Sequence, residues 1–247
     1  MISRSEEKLK IAKEEVLKYI NNKEGVKVEY IVQNLSEVTT YQGYLDKFGK
    51  SFSDIDVGIL INNAGIGFSG PYYDMTSKEG ESVFSLNCFH PIYLSKLLLN
   101  QQINRAKKSA FMGVSSLMGY HSFPCHLYYS SSKVFVRYLF EGLNTEMQND
   151  PRTKGKIDFQ CYKPGFVATK LSRKTKGFTI PDTIQAAEGA LKDLGKRYSS
   201  YGVIDHHFIG WLIQVVRYYM PSLLNFILWQ EGIRTNQKLR GKNHSFI

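Results

Sequence analysis

The chain has 247 residues and carries 32 lysines and arginines against 22 aspartates and glutamates, a formal net charge of +10. A hydrophobic content of 43% is sufficient for a packed core and excludes a largely disordered chain. The positive charge suits nucleic acid, an anionic membrane surface or an anionic small molecule. No basic run interleaved with aromatic residues, zinc-finger spacing or RNA-binding signature occurs in the sequence, so we expect no nucleic-acid partner.

Cysteines and histidines give no metal-binding pattern. Cys88, Cys125 and Cys161 are far apart and lack the C-x-x-C or Cys/His spacing of a zinc site, so we expect reduced, mostly buried thiols. His206 and His207 have no acidic or cysteine partner at ligand spacing. We therefore expect no metal and a surface or late-helix role for the two histidines.

The first half of the chain alternates between helical and extended patterns. Residues 5–22 repeat apolar side chains every three or four residues, as in an amphipathic helix, and residues 26–32 alternate as in a strand. The apolar run VGILI, residues 57–61, predicts a strand that is buried on both faces. A long helix is predicted from about Thr76.

The second half continues the alternation. Residues 110–116 and 156–165 predict two further strands, with a helix over residues 129–147 between them. Pro181 is expected to open the next helix, because a proline suits the first helical position. Strands and helices that alternate at this length indicate βαβ units, so the predicted fold class is α/β with a parallel, doubly wound sheet.

Residues 208–229 form a mainly apolar segment that contains a single charged residue, Arg217. The segment is long enough to span a bilayer, but a central arginine costs about 2.5 to 3.5 kcal/mol on membrane-insertion scales. An amphipathic helix is therefore favoured, and contact with a membrane surface and ordinary core packing both remain open. Its apolar stripe comprises Leu212, Val216, Tyr219, Leu223 and Ile227.

Two adjacent tyrosines, Tyr128 and Tyr129, precede Lys133 in a predicted helix. Residues four apart share a helix face, so Tyr129 projects together with Lys133, whereas Tyr128 is turned about 100° away. A tyrosine with its ordinary pKa is a weak acid or base at neutral pH, and an adjacent ammonium group lowers that pKa. The pair is suited to exchange a proton with a carbonyl or alcohol oxygen. By itself the pattern is weak evidence, because a solvated helix face has the same spacing.

Four further signals accompany this pair. NNAG at residues 62–65 ends one predicted strand, Ser116 ends the next, and PGFVAT at residues 164–169 ends the third. Asn87 lies in the helix between the first two strands. The carboxyl ends of successive parallel strands form the ligand crevice of an open α/β sheet, so we expect these residues to share one site.

In this order and spacing, NNAG, Asn87, Ser116, Y-x-x-x-K and PG-x-V-x-T resemble the short-chain dehydrogenase/reductase family over nearly the whole chain. The resemblance implies a Rossmann-type domain over residues 1–205 and an amphipathic extension of it over residues 206–247. It implies that Tyr129 is the general acid/base and that Ser116 holds the substrate oxygen. Lys133 would lower the tyrosine pKa and bind the nicotinamide ribose, and Asn87 would anchor a proton-relaying water. Hydride would come from a nicotinamide, since no side chain can supply it.

Within the family, the chain is similar to the membrane-associated branch of 17β-hydroxysteroid dehydrogenases and very-long-chain 3-oxoacyl-CoA reductases. The similarity lies in ISRSEEKL, FHPIYLSKLLL and MPSLLNFILWQEGIRTNQKLRGK. It implies reduction of a keto group on a long-chain acyl-CoA, in fatty acid elongation, or on a steroid-like lipid, with elongation slightly favoured. It also implies the cytosolic face of the endoplasmic reticulum membrane as the location, and it allows a homodimer through the helices that carry Asn87 and Lys133.

The cofactor fingerprint of the family, T-G-x-x-x-G-I-G, does not occur upstream of NNAG. Because that loop binds the pyrophosphate, we expect the first strand, the glycine-rich loop and the first helix to lie outside this sequence. Arg4 stands where relatives distinguish cofactors and favours NADP(H), and Asn34 replaces the family's adenine-contacting aspartate. A catalytically inactive fragment or binding pseudoenzyme is the alternative. The predicted cofactor-binding residues are Arg4, Asn34, Asn63, Ala64, Gly65, Tyr129, Lys133, Pro164, Gly165, Val167 and Thr169.

Overall fold

The computed structural model describes residues 1–21 and 23–240, with side chains described as far as residue 236. The strands form two parallel sheets, which confirms the predicted α/β class with its parallel sheet. β1 (Ile2–Ser3) pairs with β2 (Ile31–Val32) in a two-stranded sheet. The second sheet has four strands in the order β3 (Ile59–Asn62), β4 (Ser109–Val114), β5 (Ile157–Tyr162) and β6 (Ser199–Ser200).

Helices connect these strands, and several of them begin at a side-chain cap. Ser5, Thr40, Thr76 and Asp182 each accept a backbone N–H of the first helical turn, which satisfies a donor that the helix itself leaves open. Pro181 therefore precedes the capping residue and does not open the helix as predicted. The helices are α1 (Glu6–Tyr19), α2 (Tyr41–Ser53), α3 (Ser77–Phe84), α4 (His90–Ile103), α5 (Leu127–Asn149), α6 (Thr183–Asp193), α7 (Ile204–Tyr219) and α8 (Pro221–Arg240).

The burial of β3 differs from the prediction. Ile59 is 56% exposed and Ile61 is 47% exposed, so the prediction of a strand buried on both faces is wrong. The reason is its place at the end of the four-stranded sheet, where the described residues neither pair with its outer edge nor cover this face. β2 is also shorter than predicted, since residues 26–30 are not paired.

The main core lies between α5 and the central strands. Phe111 of β4 stacks on Phe159 of β5 with ring centres 4.8 Å apart, and Phe140 of α5 packs against both Phe159 and Gly113. This packing holds α5 against the sheet, with Lys133 in its second turn beside Val114 at the end of β4. All three cysteines are free and buried, as predicted.

The long helix predicted from Thr76 is interrupted. α3 and α4 are separated by one π-helical turn, Ser85–Phe89, which contains Asn87. A π turn inserts an extra residue and changes the direction of the side chains that follow, and such turns often occur at functional sites. Here it coincides with a predicted site residue.

The late apolar segment forms two helices instead of one. α7 ends before Met220 and α8 begins at Pro221, because the proline ring prevents a helix from continuing through that position. The predicted stripe is exposed at Leu212, Tyr219, Leu223 and Ile227. The alternative that this stripe packs in the core is therefore wrong. None of the helices within the described residues is long and apolar enough to cross a membrane.

Candidate active site

A cavity of about 1210 Å³ lies at the carboxyl ends of the parallel strands, between the two sheets and the last three helices. Its volume exceeds the roughly 300–1,000 Å³ of a typical small-molecule site, so it has room for more than one ligand. Every predicted site residue except Asn87 lines it. The lining includes Arg4, Asn34, Asn63, Ala64, Gly65, Ser116, Tyr129, Lys133, Pro164, Gly165, Val167 and Thr169.

The two adjacent tyrosines lie in different environments. Tyr129 lines the cavity, and its ring lies so close to Gly67 that a Cβ there would be 2.8 Å from Tyr129 Cδ2. The Tyr128 ring packs edge-on against Tyr72 and Phe84, at 5.8 and 6.3 Å between ring centres. Among the residues described, only Tyr129 of the pair therefore lines the cavity, as the spacing to Lys133 predicts.

The phenol of Tyr129 is held in its protonated form. Burial raises the pKa of Tyr129 to about 12, and a hydrogen bond with Ser116 opposes that rise. Ser116 is itself buried, and its hydroxyl accepts the Met118 N–H at 3.1 Å. At neutral pH the pair thus presents a protonated phenol beside a serine hydroxyl, an arrangement suited to donate a proton to a carbonyl oxygen.

Lys133 is a buried cation that lies beside Tyr129 without lowering its pKa. Its Nζ donates to the Val114 carbonyl oxygen at 2.8 Å and lies 5.5 Å from the centre of the Tyr129 ring. Burial lowers the pKa of Lys133 itself to about 8. The prediction that Lys133 lowers the tyrosine pKa is wrong for this structure, because desolvation of the phenol dominates.

Asn87 lies behind the cavity and fixes the loop that follows β3. Its Nδ2 donates to the Ile66 carbonyl oxygen and to Ser132 Oγ, both at 2.9 Å, and its Oδ1 accepts the Ile66 N–H at 2.9 Å. Gly65 is packed so tightly that a Cβ would lie 3.3 Å from Lys133 Nζ and 3.4 Å from Asn87 Oδ1. The amide thus positions backbone beside Lys133, and its role as a water anchor stays a prediction.

The loop after β5 is held by a residue that the sequence pattern did not identify. The Gly165 N–H donates to His206 Nδ1 at 3.2 Å, and His206 Nε2 lies 3.2 Å from the Phe166 carbonyl oxygen. His206 is fully buried in the first turn of α7, so of the two predicted alternatives the surface role is wrong and the late-helix role is confirmed. Forty-one positions separate His206 from Gly165, and no local signal connects them.

Three other residues were also missed. Ser115 Oγ donates to the Lys133 carbonyl oxygen at 2.6 Å, and Ser132 Oγ donates to the Tyr129 carbonyl oxygen at 2.7 Å. Gly67 leaves space for the Tyr129 ring. The serines adjoin predicted site residues in SS and SSSK, which is the one signal that could have identified them.

The opposite end of the cavity contains Arg4 and Asn34. Asn34 caps the short 3₁₀ turn Leu35–Glu37, and its Nδ2 donates to Glu37 Oε1 at 2.8 Å. The Asn34 amide therefore stabilises the turn that it caps, and the predicted contact with adenine remains untested. The exposed Arg4 lines the cavity next to it. Within the described residues there is no cluster of His, Cys, Asp and Glu side chains that could hold a metal ion.

The lining fits the nicotinamide and ribose half of a dinucleotide. Lys133 has three ammonium hydrogens, of which the bond to Val114 uses one, so hydroxyl oxygens of a sugar can accept the others. Gly65, which has no side chain, also lines the cavity. For the pyrophosphate, no glycine-rich turn before a helix N-terminus lines the cavity in the described part of the chain.

Comparison with known proteins shows the family of the chain. The family model described as short chain dehydrogenase matches residues 1–178. The very-long-chain 3-oxoacyl-CoA reductase of Anas platyrhynchos is 28% identical over 98% of this chain and 73% of its own length. The reductase-B of Danio rerio is 29% identical over 86% of this chain and 65% of its own length.

Among solved structures, the bulky-bulky ketone specific alcohol dehydrogenase from Comamonas testosteroni aligns with a TM-score of 0.66. The alignment covers 99% of this chain and 84% of that chain at 18% identity, which supports the fold alone. The match of the family model covers well over half of the sequence. The chain therefore belongs to the short chain dehydrogenase family.

Proposed function

We propose that this chain reduces the 3-oxo group of a long-chain acyl-CoA with NADPH. The observation that carries the proposal is the protonated Tyr129 beside Ser116 in one large cavity. A phenol with a pKa of about 12 keeps its proton at neutral pH and transfers it readily only to a strong base, such as the alkoxide that forms from a ketone. When bound, reduced nicotinamide supplies the hydride for that step.

Each residue then has a defined task. Ser116 donates a hydrogen bond to the ketone oxygen and orients it toward Tyr129. Tyr129 gives its proton to the same oxygen as negative charge develops there. Lys133, placed beside the phenol, holds sugar hydroxyls of the dinucleotide through its ammonium hydrogens.

The charges of the cavity favour an acyl-CoA over a 17-ketosteroid, which is the runner-up substrate. Among the described lining residues, cations outnumber the single carboxylate, Glu231. A CoA ester is a polyanion and a steroid ketone has no charge, so only the CoA ester is attracted by the excess of positive charge in the cavity. Both curated relatives described above are named 3-oxoacyl-CoA reductases, which supports the same choice. The cations are Arg4, Lys133, Arg173, Lys174 and Arg234.

An apolar wall between the two charged ends suits the acyl chain. Leu117 and Met118 follow Ser116 directly, while Ile209 and Ile213 of α7 and Leu228 of α8 complete the wall. At its far end, Lys174 Nζ lies 3.8 Å from the Glu231 carboxylate and 5.0 Å from the Phe166 ring. The CoA phosphates would lie at this cationic end, with the chain along the apolar wall.

NADPH is favoured over NADH because of Arg4. Its exposed guanidinium lies at the Asn34 end of the cavity, where it can bind a 2′-phosphate through two parallel hydrogen bonds.

The same helices that line the cavity present an apolar outer surface. We define the outer face of α7 and α8 as Phe208, Trp211, Leu212, Tyr219, Leu223, Phe226 and Ile227, all exposed. Aromatic and aliphatic side chains of this kind lie at membrane interfaces. We propose that this face contacts an anionic membrane, on the cytosolic side of the endoplasmic reticulum.

Sedimentation with anionic vesicles tests the membrane contact. The double variant Phe208→Ser and Trp211→Ser should reduce bound protein severalfold, whereas Tyr138→Ser, which removes an equally exposed aromatic ring from α5, should not. Equal binding by wild-type protein and the double variant would exclude this face as the contact.

A binding protein without turnover is the second candidate, because the described cavity contains no glycine-rich phosphate loop. Calorimetric titration with NADPH and NADH, followed by turnover assays with a 3-oxoacyl-CoA and a 17-ketosteroid, separates the two. We expect tighter NADPH binding and NADPH oxidation with the acyl-CoA. Binding without oxidation of either substrate would favour the binding protein.

A further inference from the structure

His206 connects the loop after β5 to α7. The ring is fully buried in the first turn of α7, and it touches Gly165 so closely that a Cβ on that glycine would lie 2.8 Å from His206 Cδ2. Both ring nitrogens face backbone atoms of residues 165 and 166. His206 therefore packs tightly against this loop, although it is distant from it in sequence.

The two contacts determine the tautomer. A backbone N–H can only donate, so His206 Nδ1, which lies 3.2 Å from the Gly165 nitrogen, is the acceptor and carries no hydrogen. The hydrogen of the neutral ring is then on Nε2, where it is donated to the Phe166 carbonyl oxygen at 3.2 Å. Burial lowers the pKa of His206 from its ordinary 6.5 and outweighs the raising effects of the Phe166, Tyr201 and Thr179 carbonyls and of Asp205, so the ring is neutral as this pairing requires.

The loop held in this way is part of the cavity wall. Pro164, Gly165 and Val167 line the cavity on the side of Tyr129, and Ile209 and Ile213, one and two turns after His206, line it on the apolar side. A single ring thus links the loop expected to meet the dinucleotide with the helix expected to meet the acyl chain.

We propose that His206 is a positioning residue that holds Gly165 and Phe166 in the conformation that receives the dinucleotide. The inference rests on the proposed function for its ligand, while the ordering of the loop stands on the contacts alone. Loss of both hydrogen bonds removes the partners of the Gly165 N–H and the Phe166 C=O, which are only partly buried, so the loop is free to turn both groups toward water.

The test compares His206→Phe and His206→Asn with the control His207→Phe. Phenylalanine keeps the ring without either hydrogen bond, and asparagine can place an oxygen near the Nδ1 position to accept the Gly165 N–H. His207 belongs to the same turn, but its ring packs against Tyr201, 5.1 Å between ring centres, and is not among the cavity residues. Amide hydrogen exchange of residues 165–172 and NADPH affinity are measured on the full chain.

We expect faster exchange in this loop and an NADPH dissociation constant about tenfold higher for His206→Phe, equivalent to about 1.4 kcal/mol, with a smaller change for His206→Asn. The kcat measured at saturating NADPH should change less than the KM for NADPH. The control His207→Phe should behave as wild type. Wild-type exchange in folded His206→Phe and His206→Asn would overturn the inference. If wild-type protein binds no dinucleotide, the proposed function fails, and the exchange data still decide the role of His206.

Discussion

Replacing Lys133 by methionine should stabilise the folded chain while it abolishes turnover. Lys133 is 4% exposed, and its pKa falls from 10.5 to about 8 because burial disfavours the ammonium form. A shift of about 2.5 units corresponds to about 3 kcal/mol at 1.36 kcal/mol per unit. Since the folded pKa is the lower one, this destabilisation is complete below pH 8 and disappears as the pH rises toward 10.5.

Methionine removes the charge but leaves the Val114 carbonyl oxygen without its donor, which costs about 1–2 kcal/mol. The net gain at pH 7 is therefore about 1–2 kcal/mol. At pH 9.5 about 2 kcal/mol of the wild-type destabilisation has been relieved, so the advantage of the variant should vanish or reverse. The sign change with pH distinguishes a buried charge from general repacking.

Urea denaturation at pH 7 and pH 9.5 measures the difference in the free energy of unfolding between Lys133→Met and wild type at each pH. Lys96→Met, at an exposed position of α4, is the matched control and should show no change in its relative stability between the two pH values. The reasoning is refuted if Lys133→Met is less stable than wild type by the same amount at both pH values.

Three further predictions concern the cavity. Gly67→Ala should lower kcat at least tenfold, because its Cβ would lie 2.8 Å from the Tyr129 ring, whereas Gly142→Ala in α5, which meets no atom within 4 Å, should leave turnover unchanged. Arg4→Glu should raise the KM for NADPH about tenfold or more with little effect on NADH, as steady-state kinetics with both cofactors would show. The kcat/KM for NADPH should fall above about pH 8, as Lys133 loses its proton in a pH–rate series.

Local patterns predicted which residues share the cavity, because each one stands at the end of a strand or on one face of a helix. Ser116 follows β4, residues 164–169 follow β5, and Tyr129 lies in the first turn of α5. Parallel strands present these ends at one edge of the sheet, so a one-dimensional pattern was enough to bring them into one cavity.

Features that depend on distant neighbours could not be predicted in this way. The Tyr129 pKa depends on how deeply the ring is buried, and the role of His206 depends on a loop forty-one positions away. The exposure of Ile59 and Ile61 likewise depends on what covers the sheet, which an apolar run does not reveal. By contrast, the break between α7 and α8 follows from Pro221, a local feature of the sequence, because a proline ring prevents a helix from continuing.

Turnover by the two tyrosine variants tests the central claim most directly. NADPH oxidation by the full chain is followed with a 3-oxoacyl-CoA substrate, with NADPH binding measured in parallel. The account predicts that wild type and Tyr128→Phe form the 3-hydroxyacyl-CoA at similar rates, whereas Tyr129→Phe binds NADPH and loses about two to four orders of magnitude in kcat. Equal losses in the two variants, or unchanged turnover in folded Tyr129→Phe, would contradict the assignment of Tyr129 as the proton donor.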